Sequence, residues 1–69
     1  MMRENTIKPG DKFTSVGVPR TVWVVVREVV LAQPMPPHFQ LAHEMIRSRT
    51  NMMSTSALLD NNLFKRVED

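Results

Sequence analysis

The sequence predicts a single small domain built mainly of β-strands, and three observations support this. The chain has 69 residues, which is enough for one domain at most. Residues 21–32 are rich in valine, and valine and other β-branched residues favour strands. Proline and glycine recur along the chain, first at Pro9-Gly10, and they divide it into pieces the length of strands.

Composition limits the class of protein further. Apolar residues make up 42% of the chain and charged residues 23%, values that are typical of globular proteins rather than disordered ones. There is no cysteine, so disulfides and thiolate metal sites are excluded, and this is compatible with a reducing compartment. The start has no secretory pattern and no apolar stretch is long enough to span a bilayer. We therefore expect a soluble, cytoplasmic protein with no membrane contact.

The first part of the chain predicts a flexible leader followed by the domain. Residues 1–8 carry no structural signal, and we place a single domain over residues 9–69. Pro9-Gly10-Asp11 is a turn signal, because proline presets φ and glycine accepts a positive φ. Residues 12–16 then predict a short strand, and residues 17–20, with a glycine and a proline, predict a second turn.

The valine-rich segment 21–32 predicts a long central strand. Its first half is apolar on both faces, so it must be covered on both sides or bend sharply. Two adjacent charges, Arg27 and Glu28, would normally place one charge inside. A β-bulge at this pair would turn both outward and reset the register. Val22, Val24 and Val26 would then share a core with Val29 and Leu31.

The segment that follows the prolines of residues 33–37 is open to two interpretations. As a strand, residues 38–46 place Phe39, Leu41 and Met45 on one face. As a helix over 38–48 they would begin after Pro37, and intrinsic propensity favours that helix. We predict a strand, because a long apolar strand needs partners and the chain has few other places to supply them.

The last third predicts short elements. Residues 47–51 form a polar turn, residues 52–56 a strand, residues 57–61 a single helical or 3₁₀ turn ended by asparagines, and residues 63–67 a final strand. The alternative is one C-terminal helix over residues 54–67, capped by Ser54 or Ser56.

This order of elements resembles SH3-like small β-barrels. In that family a single 3₁₀ turn commonly links the fourth and fifth strands, and Ala57-Leu58-Leu59-Asp60 stands at this place here. The pattern is also similar to small bacterial proteins of this shape. The resemblance implies a five-stranded barrel with a core that we expect to comprise Phe13, Val22, Val24, Val26, Leu31, Phe39, Leu41, Leu58 and Phe64. The chain has no tyrosine, so the peptide-binding function of eukaryotic SH3 domains is not implied.

The side chains that usually carry catalysis are not grouped. His38 and His43 are the only histidines, and on a strand they point to opposite faces, while on a helix they stand about 140° apart. No serine has a nucleophile elbow around it, and two glycines cannot form a phosphate-cradling loop. We therefore predict no enzyme, no metal, no cofactor and no small-molecule substrate.

The sequence favours a binding module whose partner is nucleic acid. The formal charge is +2, and most of the basic residues fall beside predicted turns, where they can contact phosphates. Trp23 could stack on a base, although a tryptophan in a valine-rich strand usually belongs to the core. The predicted phosphate contacts are Arg20, Arg27, Arg47, Arg49, Lys65 and Arg66. The alternative is a homodimeric or adaptor module that binds protein.

Overall fold

The computed structural model describes residues 6–32 and 34–67 and contains five antiparallel strands and one short helix. The elements are β1 (Lys12–Ser15), β2 (Val18–Val29), β3 (His38–His43), β4 (Thr50–Ser54), α1 (Thr55–Leu58) and β5 (Phe64–Val67). The strands form one sheet in the order β4-β3-β2-β1-β5. The fold is therefore mainly β with five strands, as the sequence predicts.

The turn before β1 forms where proline and glycine predict it. Gly10 has a φ of 95°, a region that favours glycine. The backbone N–H of Asp11 donates to the carbonyl of Lys8 over 3.1 Å. Most of the predicted leader, residues 1–5, lies outside the described residues, but Ile7 is buried in the core.

The predicted bulge exists but lies one residue earlier. Val25 is opposite Leu41 on β3, and Arg27 is opposite Gln40, the next residue of β3. Val26 is therefore the extra residue of a β-bulge. Arg27 and Glu28 are both exposed, as expected.

The side of β2 that faces the core was predicted wrongly. In the register with β1, Trp23 is opposite the buried Phe13, whereas Val22 and Val24 are opposite Thr14 and Lys12. Cross-strand partners share a face, so Val22 and Val24 lie on the other face and are only half-buried.

The core therefore differs in part from the expected set. Val26 is 45% exposed and Leu31 is half-buried, while Val25 is only 2% exposed. The expected residues that are buried are Phe13, Phe39, Leu41, Leu58 and Phe64, and those that sequence reasoning missed are Ile7, Val25 and Ala42.

The remaining strands and the helix lie close to their predicted boundaries. Residues 18–20, expected in a turn, belong to β2, and β4 begins at Thr50 inside the expected turn over 47–51. Residues 38–43 form the expected strand rather than a helix, and α1 ends at Leu58, so no helix runs over 54–67. No helix within the described ranges is long and apolar enough to cross a membrane.

Helix α1 lies between the two edge strands. It packs against β4 and β5, and Leu58 enters the core with 1% of its surface exposed. Ser54 is its N-cap, because its Oγ accepts from the N–H of Ala57 over 3.2 Å. The predicted helical turn is thus present two residues early, and the hydrogen-bonded sheet stays open between β4 and β5, so a closed barrel is not confirmed.

Candidate functional site

An open cleft of about 430 Å³ lies at one end of the face that carries the core. Every strand contributes at least one side chain to it. The cleft has this composition because Trp23, His43 and Asn51 occupy core-face positions at the end of the sheet where the apolar packing stops. The lining residues are Ser15, Val18, Thr21, Trp23, His43, Arg49, Asn51, Met53 and Phe64.

Trp23 is the largest side chain of the cleft. It is half-buried and packs against the core cluster on one side. Its ring meets that of His43 edge-on, with the centroids 5.6 Å apart and the planes at 75°. Its indole N–H donates to no group of the described residues, yet no buried side-chain nitrogen among them lacks a partner. The indole N–H is therefore reached by solvent and is available to a ligand.

His43 holds the loop between β3 and β4. Its Nδ1 accepts from the backbone N–H groups of Met45 and Ile46, over 3.1 Å and 3.0 Å. Because Nδ1 is the acceptor, the neutral ring carries its proton on Nε2. His43 therefore presents a hydrogen-bond donor, Nε2–H, as the remaining polar atom of its ring.

The same loop positions Arg49. The backbone N–H of Arg49 donates to the carbonyl of Ile46 over 2.9 Å, and the carbonyl of Arg49 accepts from the N–H of His43 over 2.8 Å. The guanidinium is in neither of the ion pairs formed within residues 6–32 and 34–67. No carboxylate from that part of the chain lines the cleft, so Arg49 gives it a positive charge.

Asn51 adds a second donor. Its Oδ1 accepts from the backbone N–H of Met52 over 3.0 Å, which leaves the Nδ2 amide group for the cleft. Ser15 and Thr21 contribute hydroxyls, which both donate and accept. The cleft thus combines an aromatic face, a cation and a majority of hydrogen-bond donors.

Arg66 lies on β5, in the same cross-strand row as Phe13 and Trp23, and is already engaged. Its Nη1 donates to Oδ2 of Asp11 over 2.9 Å, and its Nη2 donates to the carbonyl of Thr6 over 3.2 Å. Its guanidinium also lies over the ring of Phe13, 4.9 Å from the centroid.

The surroundings of Asp11, the carboxylate of that ion pair, shift its pKa. Partial burial raises the pKa of Asp11, but the hydrogen bond from the N–H of Lys8 and the charge of Arg66 outweigh it, so the pKa is lowered overall. Arg66 is therefore engaged in an ion pair within the fold, and its role as a phosphate contact stays a prediction.

The remaining predicted contacts do not form one patch. Arg47 is exposed in the same loop as Arg49, and Arg20 is exposed next to Thr21 of the cleft. Lys65 is opposite Thr14 and so lies on the other face of the sheet. Arg27 donates from Nε to Oε1 of Gln40 over 2.8 Å, also on that face. Of the six predicted contacts, the structure brings only Arg49 to the cleft.

Several cleft residues were missed from the sequence. Asn51 and Thr21 fall in segments expected to be turn and strand, and nothing in their local pattern marks them. Trp23 did carry a signal, because a tryptophan at the end of an apolar strand is suited to stacking. His43 had no predicted role in binding, and it lies half-buried at the rim of the core.

Comparison with known proteins identifies no relative, because no family model, curated protein or solved structure matches the chain. Within residues 6–32 and 34–67, no three side chains of the kinds that bind metals are grouped to hold an ion.

Proposed function

We propose that this protein is a non-catalytic module that binds single-stranded nucleic acid in the Trp23 cleft. The observation that carries the proposal is the pairing of a solvent-accessible tryptophan with Arg49 and without a carboxylate among the described lining residues. Stacking on an aromatic ring contributes about 1–3 kcal/mol per base, and an arginine beside it binds the phosphate.

The size of the cleft supports the same ligand class. About 430 Å³ lies within the range of roughly 300–1,000 Å³ that is usual for sites of small organic groups, and one nucleotide is such a group. Arg47, exposed in the loop that carries Arg49, and Arg20, exposed next to Thr21 in the sequence, add positive charge for the neighbouring phosphates.

The state of His43 supports a binding role rather than a catalytic one. A general base needs a free lone pair within reach of the proton that it removes. The lone pair of Nδ1 is used by two backbone N–H groups, and Nε2 carries the proton. His43 is thus suited to donate a hydrogen bond, not to accept a proton from a nucleophile.

For the architecture, we propose a relationship to SH3-like small barrels. The support is the position of α1, which links the fourth and fifth strands where that family commonly has a 3₁₀ turn, together with the bulged second strand.

Tryptophan fluorescence tests the proposed function directly. Trp23 is the only tryptophan and there is no tyrosine, so the intrinsic emission reports on the cleft alone. A single-stranded oligonucleotide of about eight nucleotides should quench this emission and bind more weakly as salt rises. Arg49→Met should weaken binding several-fold. Absence of quenching and of binding at about 50 mM salt would refute the proposal.

A matched control locates the contact. Lys65→Met removes the same charge from the opposite face of the sheet, so it should weaken binding much less than Arg49→Met. Equal losses in the two variants would mean that net charge, and not the cleft, attracts the oligonucleotide.

A homodimeric module is the second candidate, and the edge strand β4 favours it. Within residues 6–32 and 34–67, β4 has a partner strand on one side only, and Met52 on this strand is 47% exposed. Such an edge can pair with a second copy. Light scattering on a sizing column over a range of concentrations tests it, because a monomer at every concentration would exclude the dimer.

A further inference from the structure

The hydrogen-bond polarity of the cleft carries an inference about which base it prefers, and this inference rests on the proposed function. We infer that the cleft selects a 2,4-dioxopyrimidine, that is, uracil or thymine, over cytosine and adenine. The preference depends on which polar groups of the cleft are free to donate a hydrogen bond and which are free to accept one.

Three side chains of the cleft have N–H donors that make no hydrogen bond among the described residues. His43 offers Nε2–H because its Nδ1 accepts two backbone N–H groups. Asn51 offers the two N–H groups of Nδ2, because its Oδ1 is the atom directed at the backbone N–H of Met52. The indole nitrogen of Trp23 is a donor only.

The acceptors are fewer. Among the described lining residues, the side-chain acceptors left are the hydroxyls of Ser15 and Thr21 and one lone pair of the Asn51 Oδ1. Arg49 adds further donors, which are matched by phosphate oxygens as well as by a base. A ligand that fills this cleft without leaving polar groups unpaired must therefore be rich in acceptors and poor in N–H groups.

Uracil and thymine meet this requirement better than cytosine and adenine do. Each has two carbonyl oxygens and one ring N–H, which a hydroxyl of Ser15 or Thr21 can accept. Cytosine and adenine instead carry an exocyclic amino group, a donor, where uracil and thymine have the O4 acceptor. Placing that amino group against the donors of Asn51 or His43 leaves both sides unpaired, which typically costs about 1–3 kcal/mol.

Homopolymeric oligonucleotides test the inference. Titrating the full chain with oligo(U), oligo(dT), oligo(C) and oligo(A) of equal length, with Trp23 emission as the readout, should give at least about tenfold tighter binding of oligo(U) and oligo(dT) than of the other two. The oligo(U) and oligo(dT) arms separate an RNA ligand from a DNA ligand, which share this base edge.

A substitution at Asn51 replaces a hydrogen-bond donor of the cleft by an acceptor. Asn51→Asp keeps an oxygen for the N–H of Met52 but replaces the amide N–H groups by an acceptor, so the ratio of oligo(U) to oligo(C) affinity should fall several-fold. The added negative charge should weaken the binding of both oligonucleotides equally, so its effect cancels in the ratio of the two affinities. Asn61→Asp makes the same change in the exposed turn before β5 and should leave the ratio unchanged.

The outcomes separate this inference from the proposed function. Tight, salt-dependent binding of all four homopolymers with equal affinity would keep the proposed function and overturn the base preference. A preference that survives unchanged in Asn51→Asp would also overturn it. Absence of binding to every homopolymer would refute the proposed function and this inference with it.

Discussion

Two neighbouring parts of the core face, joined by the cross-strand pair Phe13–Trp23, use an aromatic ring and an arginine in opposite ways. At the first, which we name the closed end and which comprises Phe13, Arg66 and Asp11, the guanidinium of Arg66 lies 4.9 Å from the ring centroid of Phe13 and is paired with Asp11. At the second, the cleft, Arg49 and Trp23 are both lining residues and no carboxylate of the described residues lines the site. An aromatic ring and an arginine thus contribute to stability where a carboxylate neutralises the charge, and remain available to a ligand where none does.

The contrast extends to burial. Phe13 is only 1% exposed, whereas Trp23 is half-buried and its indole N–H reaches solvent. The closed end should therefore respond to mutation mainly through stability, and the cleft mainly through binding. Substitutions in the two parts should therefore differ in how much they lower the free energy of unfolding, from the largest effect at Phe13 to the smallest in the cleft.

The largest effect is expected from the ring at the closed end. Phe13→Ala removes a buried aromatic side chain and should lower the free energy of unfolding by about 3–5 kcal/mol. In a chain of this size such a loss is most of the stability. Urea unfolding followed by Trp23 emission measures it. A loss below about 1 kcal/mol would mean that Phe13 does not anchor the core.

Removing the arginine of the closed end should have the next largest effect. Arg66→Met keeps much of the apolar stem but leaves Asp11 without its ion pair, and we expect a loss of about 1–2 kcal/mol. Arg49→Met is the matched control and should change the free energy of unfolding by less than about 0.5 kcal/mol. Equal losses in the two variants would abolish the distinction between the two parts.

Acidity should act on the closed end through Asp11. Its pKa in the folded chain is lowered from the ordinary 3.8, so the folded state binds the proton less readily than the unfolded state does. The stabilisation is therefore fully present above the ordinary pKa and is lost as pH falls through the folded-state pKa.

The variant Asp11→Asn measures that contribution. It should cost about 1 kcal/mol at neutral pH and should lose less stability than the native chain on acidification below about pH 4. Urea titrations at neutral and acidic pH provide the comparison, and parallel losses in the two proteins would show that another group dominates.

The sequence predicts the buried core better than it predicts the cleft, for a physical reason. Buried apolar residues such as Phe13, Phe39 and Leu41 follow from hydrophobicity and from the need of a valine-rich strand for partners. Local turn chemistry likewise places Pro9-Gly10 correctly. These features depend on short stretches of chain, which a sequence displays directly.

The cleft depends on register, which a sequence displays poorly. Moving a bulge by one residue exchanges the faces of a strand, and the expected phase of β2 placed Val24 inside where the structure places Trp23 and Val25. Asn51 reaches the cleft only because β4 begins at Thr50 and pairs Asn51 with Leu41. The role of Arg66 depends on Asp11, which is distant in sequence.

The smallest effect on stability, and a large one on binding, is expected when the cleft is given the carboxylate that it lacks. Val18 lines the cleft and is 55% exposed, so Val18→Glu should change the free energy of unfolding by less than about 0.5 kcal/mol. The new charge repels phosphate, and single-stranded oligonucleotide affinity should fall at least tenfold. Val16→Glu makes the same change at a residue that is 44% exposed but does not line the cleft.

The comparison of these two variants decides between a local and a global effect of charge. Because the variants carry the same net charge, any long-range weakening of phosphate attraction is common to both. A larger loss of affinity in Val18→Glu than in Val16→Glu therefore measures the contact inside the cleft. If Val16→Glu weakened binding equally, the free charge of Arg49 would not be what distinguishes the cleft from the closed end.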